Sequence, residues 1–188
     1  MKQSKANKKF VYLISPNKIK DESFYTNLAL VLSSKKISFF QLRLKNETNL
    51  NKLIIGRKIK KICKKYKVKF LINDDPLLAK KINADGCHLG QKDMDLIKAR
   101  KILKKKIIGV TCHNSINLAK IAIKAGADYL AFGAFYTSKT KTVKFKASLR
   151  ILKSIKQITF LPIVAVGGIK LNNYKKLLLN KANFLAIS

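Results

Sequence analysis

Carboxylates are scarce in this chain of 188 residues: 9 Asp and Glu stand against 41 Lys and Arg, a formal net charge of +32. A chain so poor in acids has little from which to build internal salt-bridge networks, so polar clusters rich in cations need another explanation. Long apolar runs are missing too. The longest, FLPIVAVGGI over 160–169, contains a proline and two glycines and falls short of the ~18–20 residues that span a bilayer. The basic start, MKQSKANKK, is followed by FVYLISPN, too short an apolar run for a secretory signal and without a small-residue cleavage site. The chain therefore reads as cytoplasmic, with no membrane partner. The cysteines number only 3, an odd count that argues for free thiols over a disulfide framework. Cys87-His88 and Cys112-His113 offer four zinc-type ligands, but neighbours on a strand face opposite ways, so no zinc site is expected. The single-strand binder's pattern of aromatic residues interleaved with basic ones is also absent. The lysines instead recur at helical spacing in KIKKICKKYK, KARKILKKK and NNYKKLLLNK, as on solvated helix faces. The charge thus reads as a bias toward Lys, Asn and Ile, not as a nucleic-acid footprint, although it draws in small anions.

What is present is globular: 47% hydrophobic and 9% aromatic residues suffice for one folded domain over 1–188, with 1–9 expected as a basic, disordered tail. Short β-rich runs alternate with helical patterns. Strands are predicted at 10–15, 39–45, 69–74, 86–90, 107–112, 129–135, 162–168 and 183–188. Helices are predicted between them at 23–32, 50–66, 76–82, 96–104, 116–125, 147–158 and 172–179. Eight strands joined by single helices imply parallel pairing with right-handed crossovers, that is, an α/β fold of the (β/α)8 TIM-barrel type, here without a helix after strand eight. A small repeat supports the reading. Ala84-Asp85-Gly86, Ala127-Asp128-Tyr129 and Ala182-Asn183-Phe184 each sit between a helix and the next strand, at the end of a barrel that serves stability.

Chemistry in such barrels collects where the strands finish. Strand two ends Gln41-Leu42-Arg43-Leu44-Lys45, and the period of two places Gln41, Arg43 and Lys45 on the inward face. Cations there call for an anionic ligand. Five of the nine acids fall between 74 and 95. Asp75, before Pro76, and Asp95 read as helix N-caps, and Asp85 belongs to the repeat. Asp74 and Asp93 remain, on neighbouring strand ends, as candidate ligands of a Mg2+ that also holds a substrate phosphate. Tyr136-Thr137-Ser138-Lys139-Thr140-Lys141-Thr142 is rich in phosphate donors, and Gly167-Gly168 lets backbone amides approach a phosphate. His113 is a general-base candidate, although a histidine at a strand end is more often a plain hydrogen-bonding residue.

Together QLRLK (41–45), INDDP (72–76), ADGCHLGQKDM (84–94), GVTCHNS (109–115), GADYLAFGAFYTSKTK (126–141) and IVAVGGI (163–169) resemble thiamin phosphate synthase. The resemblance implies a transferase joining hydroxymethylpyrimidine diphosphate to hydroxyethylthiazole phosphate, with Mg2+ as cofactor and release of diphosphate. It implies that Gln41, Arg43, Lys45, Asn73, Thr111 and Lys141 hold the pyrimidine diphosphate, that Ser138, Thr140, Gly168 and Ser188 hold the thiazole phosphate, and that Asp74 and Asp93 hold the metal. No protein nucleophile is needed; positioning and electrostatics carry the reaction. The expected partners are these small molecules, with room for a homo-oligomer. A thiazole tautomerase-like isomerase on the same barrel, using His113, and a basic nucleic-acid-binding module are the competing readings.

Overall fold

The structure, a computed structural model, describes residues 10–137 and 145–188. Eight strands alternate with seven helices in chain order. They run β1 (Val11–Ile14), α1 (Ser23–Ser33), β2 (Ile37–Leu42), α2 (Asn49–Lys65), β3 (Lys69–Asn73), α3 (Pro76–Ile82), β4 (Gly86–Leu89) and α4 (Leu96–Leu103), then β5 (Ile107–His113), α5 (Ile116–Lys124), β6 (Tyr129–Gly133), α6 (Leu149–Lys156), β7 (Ile163–Val166), α7 (Tyr174–Leu179) and β8 (Phe184–Ile187). The strands form one closed parallel barrel in sequence order. β8 closes it on β1 through Val11 opposite Leu185 and Leu13 opposite Ile187. The chain is a (β/α)8 barrel, as its alternation predicts, and among the described residues no helix is long and apolar enough to cross a membrane.

The strands pack by their period of two. Phe40, Phe70, Ile72, Cys87, Leu89, Ile108, Leu130 and Phe132 point outward into the layer shared with Ile59, Ala79 and Leu152 of the helices. Tyr12, Leu71, Tyr129, Ala131, Val164 and Ala186 point inward, joined by Ile14, Phe39, Val166 and Phe184. The inner aromatic rings interlock, with Tyr12 5.4 Å from Phe39 and Phe39 5.1 Å from Phe184 between centroids. They fill the lower barrel with side chains, as barrels of this size require. Gly109 makes room for one of them. A Cβ there would stand 1.8 Å from Tyr129 Cζ, so the bare backbone of β5 is the slot in which the Tyr129 ring lies.

The sequence pattern overruns the strands at the upper end. β2 stops at Leu42, not at residue 45, β6 at Gly133 and β7 at Val166. Past those points the backbone leaves the ladder: Arg43 N donates to Ser15 Oγ, Ala134 N to Phe145 O at 2.9 Å, and Gly167 and Gly168 take positive φ. Helix α6 begins at Leu149, not at 147, because Ala147 is held back by its N–H donating to Ala134 O at 2.8 Å.

The repeated Ala-Asp/Asn step is a clamp at the lower rim. Asp85 Oδ2 accepts from Phe70 N at 2.9 Å, Asp128 Oδ2 from Ile108 N at 2.7 Å, and Asn183 Oδ1 from Ile163 N at 2.9 Å. Each clamp residue returns its own N–H to the carbonyl of the same strand. Asp128 also pairs with Arg100 at 2.6 Å. Removing a carboxylate here orphans a buried amide, so Asp85→Ala and Asp128→Ala are each expected to cost about 1–3 kcal/mol. That is several degrees in thermal melting, with any activity of the folded protein unchanged. Asp75 and Asp95 cap helices as expected, accepting from Leu78 N at 2.9 Å and Ile97 N at 2.9 Å.

Candidate active site

The upper ends of β2, β3, β4 and β5 bring most of the described candidate residues together. Gln41 is 2% exposed and lies two residues beyond the inward Phe39, so it shares that face. Its Nε2 is buried without a hydrogen-bond partner among the described residues. A buried donor left unpaired is costly, and an acceptor atom of a ligand would relieve it. Arg43 and Lys45 do not continue the strand as the alternation predicts. Arg43 N donates to Ser15 Oγ at 2.9 Å, and its guanidinium donates to Asn17 Oδ1. Lys45 is exposed in the loop. The reason is desolvation: two cations inside the barrel would lose their water with no carboxylate to replace it. Ser15 and Asn17, in the turn after β1, thereby set the direction of Arg43.

Asp74 sits just past β3 in the left-handed region, φ 66°, which Asp and Asn tolerate best after glycine. Its N–H donates to His88 O at 2.8 Å, binding the β3 end to β4. Asp93 lies in the loop after β4, not at the strand end itself, and folds back so that its Oδ2 accepts from Gly90 N at 2.6 Å. Burial, with a hydrogen bond to Asp93 and the charge of Asp93, pushes the Asp74 carboxyl up to about 6, against the opposing pull of Arg43 and Lys45. Because Asp74 keeps one side open to solvent, the Asp93 carboxylate is the sturdier of these causes. Two hard-oxygen groups that repel unless a proton or cation joins them suit a divalent cation. Among the described residues no group of three or more His, Cys, Asp or Glu could hold a metal by itself.

A cleft of about 360 Å³ opens beside Asp74, lined also by Lys45, Asn46, Lys52 and Asn73 over an apolar floor that includes Leu42 and Ile72. The floor belongs to the sheet–helix layer, so the cleft flanks the barrel axis and does not lie over it. Lys52, on α2 and away from the strand ends, adds a further cation to the cleft. Thr111 faces inward from β5, its Oγ1 2.8 Å from His88 Nε2, while Gln91 Nε2 donates to its carbonyl. His113 lies beyond a β5 irregularity with its ring 4.2 Å from Phe145.

On the opposite side of the mouth, Gly167 and Gly168 have φ of 101° and 61°. A Cβ on Gly168 would meet Thr137 O at 2.3 Å. The turn after β7 is thereby pressed against the start of the loop after β6. Ser138, Thr140 and Lys141 fall outside the described residues. Ser188 is exposed at the end of β8. The last ladder pair between β7 and β8 is Val166 with Ala186.

A parallel eightfold barrel whose mouth sets a carboxylate pair among lysines, an arginine and a glycine turn defines a (β/α)8 protein built to handle phosphorylated ligands. The comparisons narrow this class. The family model described as thiamine monophosphate synthase matches residues 11–188, and the chain belongs to that family. It is 86% identical over 188 residues to the thiamine-phosphate synthase of Pelagibacter ubique (strain HTCC1062), covering 100% of this chain and 91% of that one. It is 41% identical over 170 residues to the thiamine-phosphate synthase of Clostridium acetobutylicum, covering 89% and 80%. The solved thiamine phosphate pyrophosphorylase from Pyrococcus furiosus superposes with a TM-score of 0.83 at 29% identity, over 96% of this chain and 86% of that one.

Proposed function

We propose that this chain joins hydroxymethylpyrimidine diphosphate to hydroxyethylthiazole phosphate, giving thiamin phosphate and diphosphate. The observation that carries the reading is the Asp74–Asp93 pair set beside Arg43 and Lys45, on a barrel of this family. The C–O bond between the pyrimidine methylene and the diphosphate breaks, the diphosphate keeps the electron pair, and the thiazole nitrogen supplies a new pair to the methylene carbon. Arg43 and Lys45 neutralise the departing oxygens, while Gln41 Nε2, from the barrel interior, and Asn73, from the cleft beside it, orient the pyrimidine diphosphate. Gly168, with Ser138, Thr140 and Ser188, would receive the thiazole phosphate, and Lys141 would reach the diphosphate. Asp74 and Asp93 would hold a Mg2+, which when bound supplies positive charge to the leaving group. We place this work in the cytoplasm, on small molecules and not on nucleic acid, because the lysines of α2, α3 and α4 recur at the spacing of solvated helix faces. The tautomerase-like alternative relies on His113, whose ring is packed on Phe145, and it gives the carboxylate pair no task.

The direct test is an assay of diphosphate release from both substrates with Mg2+ and with a chelator. Turnover that depends on metal and on both substrates is the expected result; equal product under chelation overturns the reading. The pH dependence follows from Asp74. Its folded value, about 6, lies above the ordinary carboxyl value, so the metal-free fold favours the protonated form. The stability this group contributes is complete below about pH 4 and is lost as pH rises through about 6. Metal binding, which needs the carboxylate, strengthens over the same interval. Melting of the metal-free protein against pH, and Mg2+ titration at pH 5 and pH 7, should move in opposite directions.

A further inference from the structure

Four polar side chains run in single file through the barrel interior. Tyr12 Oη lies 2.8 Å from Tyr129 Oη, Tyr129 Oη lies 2.8 Å from His88 Nδ1, and His88 Nε2 lies 2.8 Å from Thr111 Oγ1. Tyr12 and Tyr129 are 2% and 3% exposed, and among the described residues the hydroxyl of Tyr12 has Tyr129 as its one partner. The hydrogens of such a file can be assigned by requiring that none is buried without an acceptor.

If His88 carries its hydrogen on Nδ1, that hydrogen goes to Tyr129 Oη. Tyr129 must then donate to Tyr12, leaving the Tyr12 hydrogen with no acceptor, or else Tyr12 donates to Tyr129 and the Tyr129 hydrogen is stranded. A doubly protonated imidazole meets the same obstacle. With the hydrogen on Nε2, every donor is satisfied. Tyr12 donates to Tyr129, Tyr129 donates to His88 Nδ1, and His88 Nε2–H donates to Thr111 Oγ1. Burial agrees with this assignment, since it raises both phenols and lowers His88 to about 4, so all three stay neutral near pH 7.

We propose that His88 is a positioning residue: held as the Nε2–H tautomer by Tyr129, it occupies an acceptor lobe of Thr111 Oγ1 and turns the hydroxyl hydrogen of Thr111 toward the barrel mouth, as a donor to a ring-nitrogen or diphosphate-oxygen acceptor of the bound pyrimidine diphosphate. The last clause rests on the substrate reading above; the tautomer does not. Gly109 belongs to the same device, because its missing Cβ is what lets the Tyr129 ring lean across β5 to reach β4.

The first test uses the full chain without ligands. It contains 2 histidines, so a long-range 1H–15N spectrum near neutral pH, assigned with His113→Gln, reads His88 alone. A hydrogen on Nε2 is expected, and a hydrogen on Nδ1 overturns the proposal whatever the enzyme's activity. The second test is a double-mutant cycle. Tyr129→Phe keeps the ring but frees the tautomer, and it should raise KM for the pyrimidine diphosphate up to about tenfold with a smaller change in kcat. In a Thr111→Val background the same change should have no further effect. An undiminished effect there means that Tyr129 acts on the fold and not through Thr111, and this too overturns the proposal. If the wild-type chain shows no turnover, Kd for the pyrimidine diphosphate replaces KM; an Nε2–H tautomer alongside no binding rejects the substrate reading and leaves the hydrogen direction standing.

Discussion

Asp93→Asn is expected to abolish diphosphate release, by roughly a thousandfold or more, while the barrel melts at or slightly above its original temperature without metal. The amide oxygen can still accept from Gly90 N, which Asp93 Oδ2 engages at 2.6 Å, so the loop after β4 keeps its shape. The negative charge that helps push the Asp74 carboxyl up to about 6 disappears, which removes a repulsion and returns Asp74 toward its ordinary value. The fold is relieved, and a cation held as proposed would lose half its anchor. Asp74→Asn should behave alike, because asparagine also tolerates the positive φ at that position. Calorimetric Mg2+ titration, turnover and thermal melting separate the two effects. Turnover above about a tenth of the original in either variant removes the pair from the mechanism. If Asp85→Ala, at the lower rim, proved worse for turnover than Asp93→Asn, the assignment of the barrel's two ends would fall.

The second large effect is on stability. Gly109→Ala places a methyl 1.8 Å from Tyr129 Cζ and 2.2 Å from two further ring carbons, in an interior with no spare volume. The ring is wedged between Tyr12 and His88 and has no free side to move toward. Overpacking of this kind costs about 1–3 kcal/mol, and more where the neighbour cannot yield. A marked fall in melting temperature and in soluble yield is expected. Gly109→Ala/Tyr129→Ala should be milder than the two single losses summed, because the methyl then enters space the ring has vacated. Additive losses would show that Gly109 is needed for β5 itself and not for the ring.

The barrel was legible because each strand and helix carries its own period, and because Ala84-Asp85, Ala127-Asp128 and Ala182-Asn183 mark the same junction three times. The caps at Asp75 and Asp95 were legible for a similar reason, since a cap bonds within three residues of itself. Much of the mouth was not. Alternation suggested that Arg43 and Lys45 stay in the strand, but desolvation decides where a cation can stay, and sequence does not display desolvation. The inner file was invisible because Tyr12 and Tyr129 are 117 residues apart. Cys87-His88 and Cys112-His113 drew attention only as metal ligands. Once the strands form, Cys87 and Cys112 turn into the outer core, and His88 turns inward to two hydroxyls.

The interlocked rings of Tyr12, Phe39, Tyr129 and Phe184 make the barrel a blind well. Nothing can pass through the floor, so reactants and products share a single doorway. On the reading proposed above, a pyrimidine diphosphate reaching Gln41 would have to enter before the thiazole phosphate closes the doorway above it, an order that the walls alone would impose.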